Sequence, residues 1–254
     1  MKVSIITITY NSAETIEDTI RSVISQDYSN VEYIIVDGAS KDKTLEIVER
    51  YRSHISKIVS ERDKGIYDAM NKGVAMATGD VIGILNSDDF YADSHVISDI
   101  VKTMASAKSD ACYADLVYVN RLETTKVIRA WKSGEYRHGH FLKGWMPPHP
   151  TFFVKHSLYK AHGLYSLELK SAADYELMLR FIHKHGISLS YLPRVITKMR
   201  AGGQSNITIK NRWRANKEDR LAWKMNGLQP GFLTLIRKPL SKLLQYLPGH
   251  NHGV

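Results

Sequence analysis

A single cysteine, Cys112, stands in 254 residues. It excludes an intramolecular disulfide and cannot alone build a cysteine-rich metal site, so a reducing compartment is permitted. Long hydrophobic runs are also missing: no stretch approaches the roughly 18 apolar residues that a bilayer-spanning helix needs. The opening MKVSIITITYNSAET carries one lysine and a short apolar run, then turns polar by Thr7 with no small-residue cleavage site. It reads as a first strand rather than a signal peptide. No G-x-G-x-x-G follows that strand and no G-x-x-x-x-G-K-[ST] occurs anywhere, which argues against a dinucleotide-binding dehydrogenase and a P-loop nucleotidase. A nucleotide site in this chain needs a metal to neutralise its phosphates.

What remains is an ordinary globular composition, 43% hydrophobic and 24% charged, long enough for one full core with or without an appendage. The net charge of +9 calls for an anionic partner such as nucleic acid, a phosphorylated small molecule or anionic lipid. Its distribution is uneven. From Lys198 onward eleven Lys and Arg face two acids, Glu218 and Asp219, so the first two thirds are close to balanced.

The N-terminal half alternates strand and helix. Val3 to Ile8 reads as a strand, followed by Ile16, Ile20, Val23 and Ile24 at helical spacing. Val31 to Val36 is a second apolar run, Leu45, Ile47, Val48 and Tyr51 mark a second helix, and Ile55 to Ser60 a third strand. Ile66, Met70, Val74 and Ala77 share one helical face that Gly79 closes, and Val81, Ile82, Ile84 and Leu85 form a fourth strand. Such alternation indicates βαβ units and a parallel sheet. Ligands of open α/β sheets bind beyond the carboxyl ends of the strands, so Thr9, Tyr10, Asn11, Asp37, Asp88 and Asp89 are expected along one edge. Two adjacent carboxylates at a strand end are costly without a positive partner. Mg2+ or Mn2+, held by one or two carboxylates and completed by substrate phosphates, meets that need. The plainer use of the pair is to open a turn or cap the next helix.

Residues 3–44 (VSIITITYNSAETIEDTIRSVISQDYSNVEYIIVDGASKDKT) and 63–89 (DKGIYDAMNKGVAMATGDVIGILNSDD) together resemble the nucleotide-binding half of the family 2 glycosyltransferases. The resemblance implies a GT-A fold, a Rossmann-like, mainly parallel sheet flanked by helices, and an inverting transfer from a nucleotide-diphosphate sugar, commonly a uridine diphosphate sugar, assisted by Mn2+ or Mg2+. It places Tyr10 against the nucleotide base and Asp37 in hydrogen bonding to it. It puts Asp88 on the ribose, Asp89 on the metal, and Asn71, Lys64 and Asp68 beside the donor. Asn86 stands where many members carry the first Asp of an Asp-x-Asp signature, so its contact with the donor stays open.

The second half is expected to hold the acceptor. Ser171 to Arg180 reads as a helix start, with Asp174 complementing the helix dipole. The family usually has Glu-Asp here, with the Asp as catalytic base; this chain has Ala173-Asp174, and the resemblance gives Asp174 that role. Three prolines around His149 make a stiff loop before a strand expected over Thr151 to Val154. A lone histidine is ordinarily structural, while the resemblance puts His149 on the acceptor side. Trp145 and Trp131 are either flat surfaces for sugar rings or core. The stretch from Arg200 to Asn206 is either a plain Gly-Gly turn or a loop that closes over the diphosphate.

The expected division is a catalytic domain over 1–205, with 1–95 binding the donor and 96–205 the acceptor, and a helical, basic extension over 206–254. Within that extension, leucines from Leu233 to Leu247 interleave with Arg237, Lys238 and Lys242, a pattern that either lies on an anionic membrane surface or packs back onto the catalytic domain or a second copy. It suits a cytoplasmic enzyme, peripheral at the inner face of the cytoplasmic membrane, that takes a glycan or lipid-diphosphate-linked acceptor. The alternative is a non-catalytic basic module for nucleotide or nucleic acid, in which Trp213 and Trp223 among Arg212, Arg214 and Lys224 stack on bases. Against it stands the absence of a nucleic-acid-binding motif, so no nucleic acid is expected as partner.

Overall fold

A computed structural model describes residues 1–202, 209–231 and 234. Three strands, β1 (Val3–Thr9), β2 (Val31–Asp37) and β3 (Lys57–Ser60), alternate with α1 (Ile16–Ile24), α2 (Thr44–Arg50) and α3 (Ile66–Met76). Next come β4 (Val81–Asn86), β5 (Asp89–Tyr91), α4 (Val96–Ala107), β6 (Ala111–Val119) and β7 (Val127–Trp131). The chain ends in β8 (Phe153–Lys155), α5 (His156–His162), α6 (Ala173–Met178), β9 (Leu189–Arg200) and α7 (Ile209–Met225). One sheet runs β3-β2-β1-β4-β8-β6-β9-β5, with β7 added on β6.

The apolar runs are continuous because both faces of the sheet are covered. Side chains of successive residues go to opposite faces. Ile6, Ile8, Ile34, Val36, Ile82 and Ile84 join Tyr67, Met70 and Val74 of α3 in one core. Val3, Ile5, Tyr33, Ile35, Val81 and Leu85 join α1, α2 and α4 in the other. Gly73 lets α3 approach β1, since a Cβ there would collide with Ile6.

Pairing within the first four strands is parallel and brings their carboxyl ends into line: Thr9 opposite Asp37, Asp37 opposite Ser60, Ile8 opposite Asn86. The next residues, 87–91, turn over this edge. Asp89 pairs antiparallel with Met199 of β9, and its carbonyl accepts from the Thr19 hydroxyl of α1 at 2.7 Å.

Several expectations shift. The third strand begins at Lys57 rather than Ile55, and the run after His149 is a 3-10 turn over His149–Thr151 before β8. In α3 and at its C-cap, Met70, Val74 and Ala77 are buried as expected, while Ile66 stays 47% exposed and Tyr67 turns inward in its place. Residues 217–226 pack against α6 and the segment before it. Trp223 is 1% exposed and its indole donates to the Tyr175 hydroxyl at 2.9 Å. Glu218 accepts from the backbone N–H of Ser171 at 2.8 Å, and Asn226 donates to Glu176 at 3.0 Å. Trp223 is thus core, not the stacking platform expected for it. Gly203 to Asn206, Trp213 and the leucine-rich tail lie outside the residues whose side chains are described.

Candidate active site

Asp37 is fully buried. Its carboxylate accepts from the Ser40 N–H at 2.9 Å, the Ser40 hydroxyl at 2.5 Å and the Ser60 hydroxyl at 2.6 Å. Asp37 therefore ties β2, its own turn and β3 together at the crevice. Asn11, at φ +49°, accepts from the Lys41 N–H at 2.8 Å through its side chain, and its own N–H donates to Ser40 at 2.8 Å. These bonds lash the loop after β1 to the loop after β2 and leave Tyr10 between them, 55% exposed. A Cβ on Gly38 would lie 2.5 Å from Asp63 Oδ2 and 3.3 Å from the Tyr10 ring. The missing side chain leaves room for this approach, so Asp63 joins Tyr10 at the mouth of the crevice. Asp63 was not among the sequence candidates; its contact with Gly38 spans two loops and leaves no local pattern.

Lys64 and Asp68 form a local staple instead: the Lys64 N–H donates to Asp68 at 3.0 Å, and Asp68 pairs with Lys72 at 3.4 Å. Asn71 commits both ends of its amide to the backbone of Tyr165, donating to its carbonyl and accepting from its N–H at 2.9 Å each. It fixes the segment before α6 against α3.

The acid pair has a different character. Asp89 is fully buried, Asp88 half-buried. Burial, and then the charge of Asp88, push the Asp89 carboxyl well above the usual carboxylate range, against the opposing pull of Asn86 and Arg200. Burial likewise raises Asp88. Asp89 Oδ2 accepts from the Asn86 amide at 3.2 Å, while Asp89 Oδ1, Asn86 Oδ1 and Thr9 Oγ1 are buried without a partner. Buried polar atoms are normally satisfied. The orphaned oxygens of Asn86 and Asp89, whose side chains touch, are hard donors of the kind that Mg2+ or Mn2+ takes. Among the described residues no cluster of three His, Cys, Asp or Glu exists to complete a shell, which leaves positions for phosphate and water.

Across the crevice Asp174 stands in the first turn of α6. The hydroxyl of Tyr67 donates to its Oδ1 at 3.1 Å. Tyr67 stacks on Tyr165 at 5.9 Å, whose hydroxyl bonds His149 Nε2 at 3.0 Å. His149 is buried, and burial lowers its imidazole below the ordinary range while Asp174 pulls the other way. It is a buttress rather than an open acceptor contact. Trp145 is half-buried, donates to the Ser133 carbonyl at 2.8 Å and meets Tyr136 at 5.1 Å. Trp131 lies beneath the Arg129 guanidinium at 5.6 Å. Arg200 is 3% exposed and ends β9. It is committed to the Asp88 carbonyl and the Asp18 carboxylate.

The comparisons with known proteins agree with this architecture. An uncharacterised glycosyltransferase of Mycobacterium tuberculosis is 33% identical over 180 residues, 70% of this chain and 68% of its own. A UDP-Glc:alpha-D-GlcNAc-diphosphoundecaprenol beta-1,3-glucosyltransferase of Escherichia coli is 37% identical over 99 residues, 39% of either chain. Among solved structures, S. aureus TarS 1-349 in complex with UDP-GlcNAc superposes with a TM-score of 0.68 at 20% identity, over 89% of this chain and 65% of that one. The mannosyltransferase PcManGT from Pyrobaculum calidifontis, in complex with GDP-Man and Mn2+, gives 0.61 at 17% identity, over 98% and 81%. These two likenesses concern the fold. The family model "Glycosyl transferase family 2" matches residues 4–161, well over half the chain, and the protein belongs to that family.

Proposed function

We propose that the protein is an inverting glycosyltransferase moving a sugar from a nucleotide-diphosphate donor, a UDP-sugar foremost, to a hydroxyl of a glycan or lipid-diphosphate-linked acceptor. One observation carries the reading: fully buried Asp89 keeps an unpartnered oxygen beside Asn86, whose amide donates to its other oxygen at 3.2 Å and whose own Oδ1 is likewise without a partner. In this reading Asp89 holds the divalent cation, Asp88 the ribose, and Tyr10 and Asp37, with Thr9 and Asn11 shaping the loop, the base. The cation, when bound, offsets the charge of the leaving diphosphate. Asp174 takes the proton of the attacking acceptor hydroxyl. The nucleotide-sugar complexes of TarS and PcManGT and the lipid-diphosphate acceptor in the name of the E. coli relative support the substrate classes.

The location goes with the acceptor: a cytoplasmic enzyme held at the inner membrane face by its basic tail. Among the described residues no helix is long and apolar enough to cross a membrane. The nucleic-acid-binding alternative loses its stacking residue Trp223 to the core.

Thermal shift with UDP, with and without Mn2+, tests the site, because a ligand of the folded state raises its stability. Wild type is expected to respond to UDP only with Mn2+, and Asp89→Ala not to respond. An Mn2+-dependent response retained in Asp89→Ala removes that residue from the cation site.

A further inference from the structure

Asp174 does not stand alone in the crevice. From α3, Tyr67 is 8% exposed and reaches across the molecule, 107 residues away in sequence, to Asp174 Oδ1 at 3.1 Å. Its ring is fixed by stacking on Tyr165, and Tyr165 is fixed in turn by Asn71 on its backbone and by His149 on its hydroxyl. Burial and the charge of Asp174 drive the Tyr67 phenol far above its ordinary range, so it stays protonated and can only donate to the carboxylate. The titratable groups facing Asp174 are then Tyr67 from α3, Tyr165 from the segment before α6 and His149 from the turn before β8.

We infer that Tyr67 is the positioning residue of the base: its hydroxyl holds Asp174 Oδ1 and leaves Oδ2 to receive the proton of the acceptor hydroxyl. The inference rests on the reading of Asp174 as base. In the step it serves, the acceptor oxygen forms the new bond to the sugar anomeric carbon and the bond from that carbon to the diphosphate oxygen breaks. The bonding pair leaves with the nucleotide, and the hydroxyl proton moves to Asp174. A fixed Oδ1 restricts the carboxylate to one orientation, and misplacement on the scale of 1 Å costs on the order of 10²-fold in rate.

The test compares wild type, Tyr67→Phe and Asp174→Asn. Phe keeps the ring that stacks on Tyr165 and removes only the hydroxyl. Aspartate carboxyl 13C NMR, with the Asp174 signal identified by its loss in Asp174→Asn, reports the bond from Tyr67 directly. At a fixed pH that signal is expected to move in Tyr67→Phe. UDP release from UDP-glucose with Mn2+ is expected to slow by roughly 10-fold or more, with the KM for UDP-glucose within about twofold. A second measurement needs no change at Tyr67: its hydroxyl proton resonance is expected to move in Asp174→Asn. An unmoved Asp174 carboxyl signal in Tyr67→Phe, or an unmoved Tyr67 hydroxyl resonance in Asp174→Asn, overturns the inference while an inactive Asp174→Asn leaves the base reading standing. Wild-type UDP release by Asp174→Asn removes the base reading, and the inference with it, even where the NMR shift is present.

Discussion

The guanidinium of Arg200 donates to the backbone carbonyl of Asp88 at 2.9 Å, joining the last residue of β9 to the first of the two acids. The same group pairs with Asp18 of α1 and lies 4.9 Å from the centre of the Phe90 ring. Three elements remote in sequence are thereby locked around the acid pair. Arg suits this task because its planar fork serves two acceptors while stacking on a ring.

Removing that fork has two opposed effects on cation binding. Loss of a positive charge makes the site more attractive to a cation, while loss of the anchor frees the backbone that carries both acids. Geometry is expected to win, since a donor shell tolerates little displacement. Arg200→Met should unfold more easily, by about 1.5–3 kcal/mol for a lost charge-assisted bond, and show a weakened Mn2+-dependent thermal response to UDP. An undiminished response would mean that the Asp88 carbonyl needs no anchor.

Asp174→Asn keeps an oxygen for the Tyr67 hydroxyl and removes the proton acceptor. Sugar transfer is expected to fall by about 10²-fold or more, with UDP affinity in the presence of Mn2+ unchanged. Turnover within a few-fold of wild type would take the base role from Asp174.

β1, β2 and β4 were legible because each is buried on both faces, and a doubly buried strand writes a continuous apolar run. The polar residue ending each run, Thr9, Asp37 or Asn86, marked the crevice for the same reason: a strand's apolar pattern stops where solvent or ligand begins. The far half was less legible. β5 is three residues long and exists because β9 pairs with it from more than a hundred residues away, which no local pattern reports. The partners of the site residues were hidden in the same way. Tyr67 shows in the sequence only as one residue of a helix; its bond to Asp174 is made by the packing of α3 against α6. Arg200 read only as the start of a Gly-Gly turn or of a loop closing over the diphosphate, because its acceptors, Asp18 and Asp88, come from other elements.

In the proposed reading the location rests on the sequence beyond α7. Each Lys or Arg near an anionic surface contributes on the order of 1 kcal/mol, and the leucines from Leu233 to Leu247 supply the apolar stripe. Co-sedimentation with anionic liposomes at low salt should retain the full chain and release a truncation ending at Asn226. Equal binding by both, or none by the full chain, would defeat the membrane assignment.

Glu32 sets a pH limit on the fold. It is 4% exposed between β1 and the turn before β4. Burial opposes its charge, but hydrogen bonds from the Ser4 hydroxyl at 2.6 Å and from the Thr78 N–H and hydroxyl at 2.7 Å each outweigh it. Lys57 adds an ion pair at 3.3 Å, and the carboxyl falls from 4.5 to about 2. A depressed carboxylate binds fewer protons in the folded state than in the unfolded one. Its contribution is therefore complete above the unfolded value of 4.5 and is lost as pH falls toward 2. At about 1.4 kcal/mol per unit the contribution is roughly 3 kcal/mol. Glu32→Gln should cost about that much at pH 7 by urea unfolding, and the gap between the two proteins should narrow steadily as the pH is lowered from 5 toward 2. A gap that stays constant over that interval would show that the charge on Glu32 contributes nothing and that only its shape is needed.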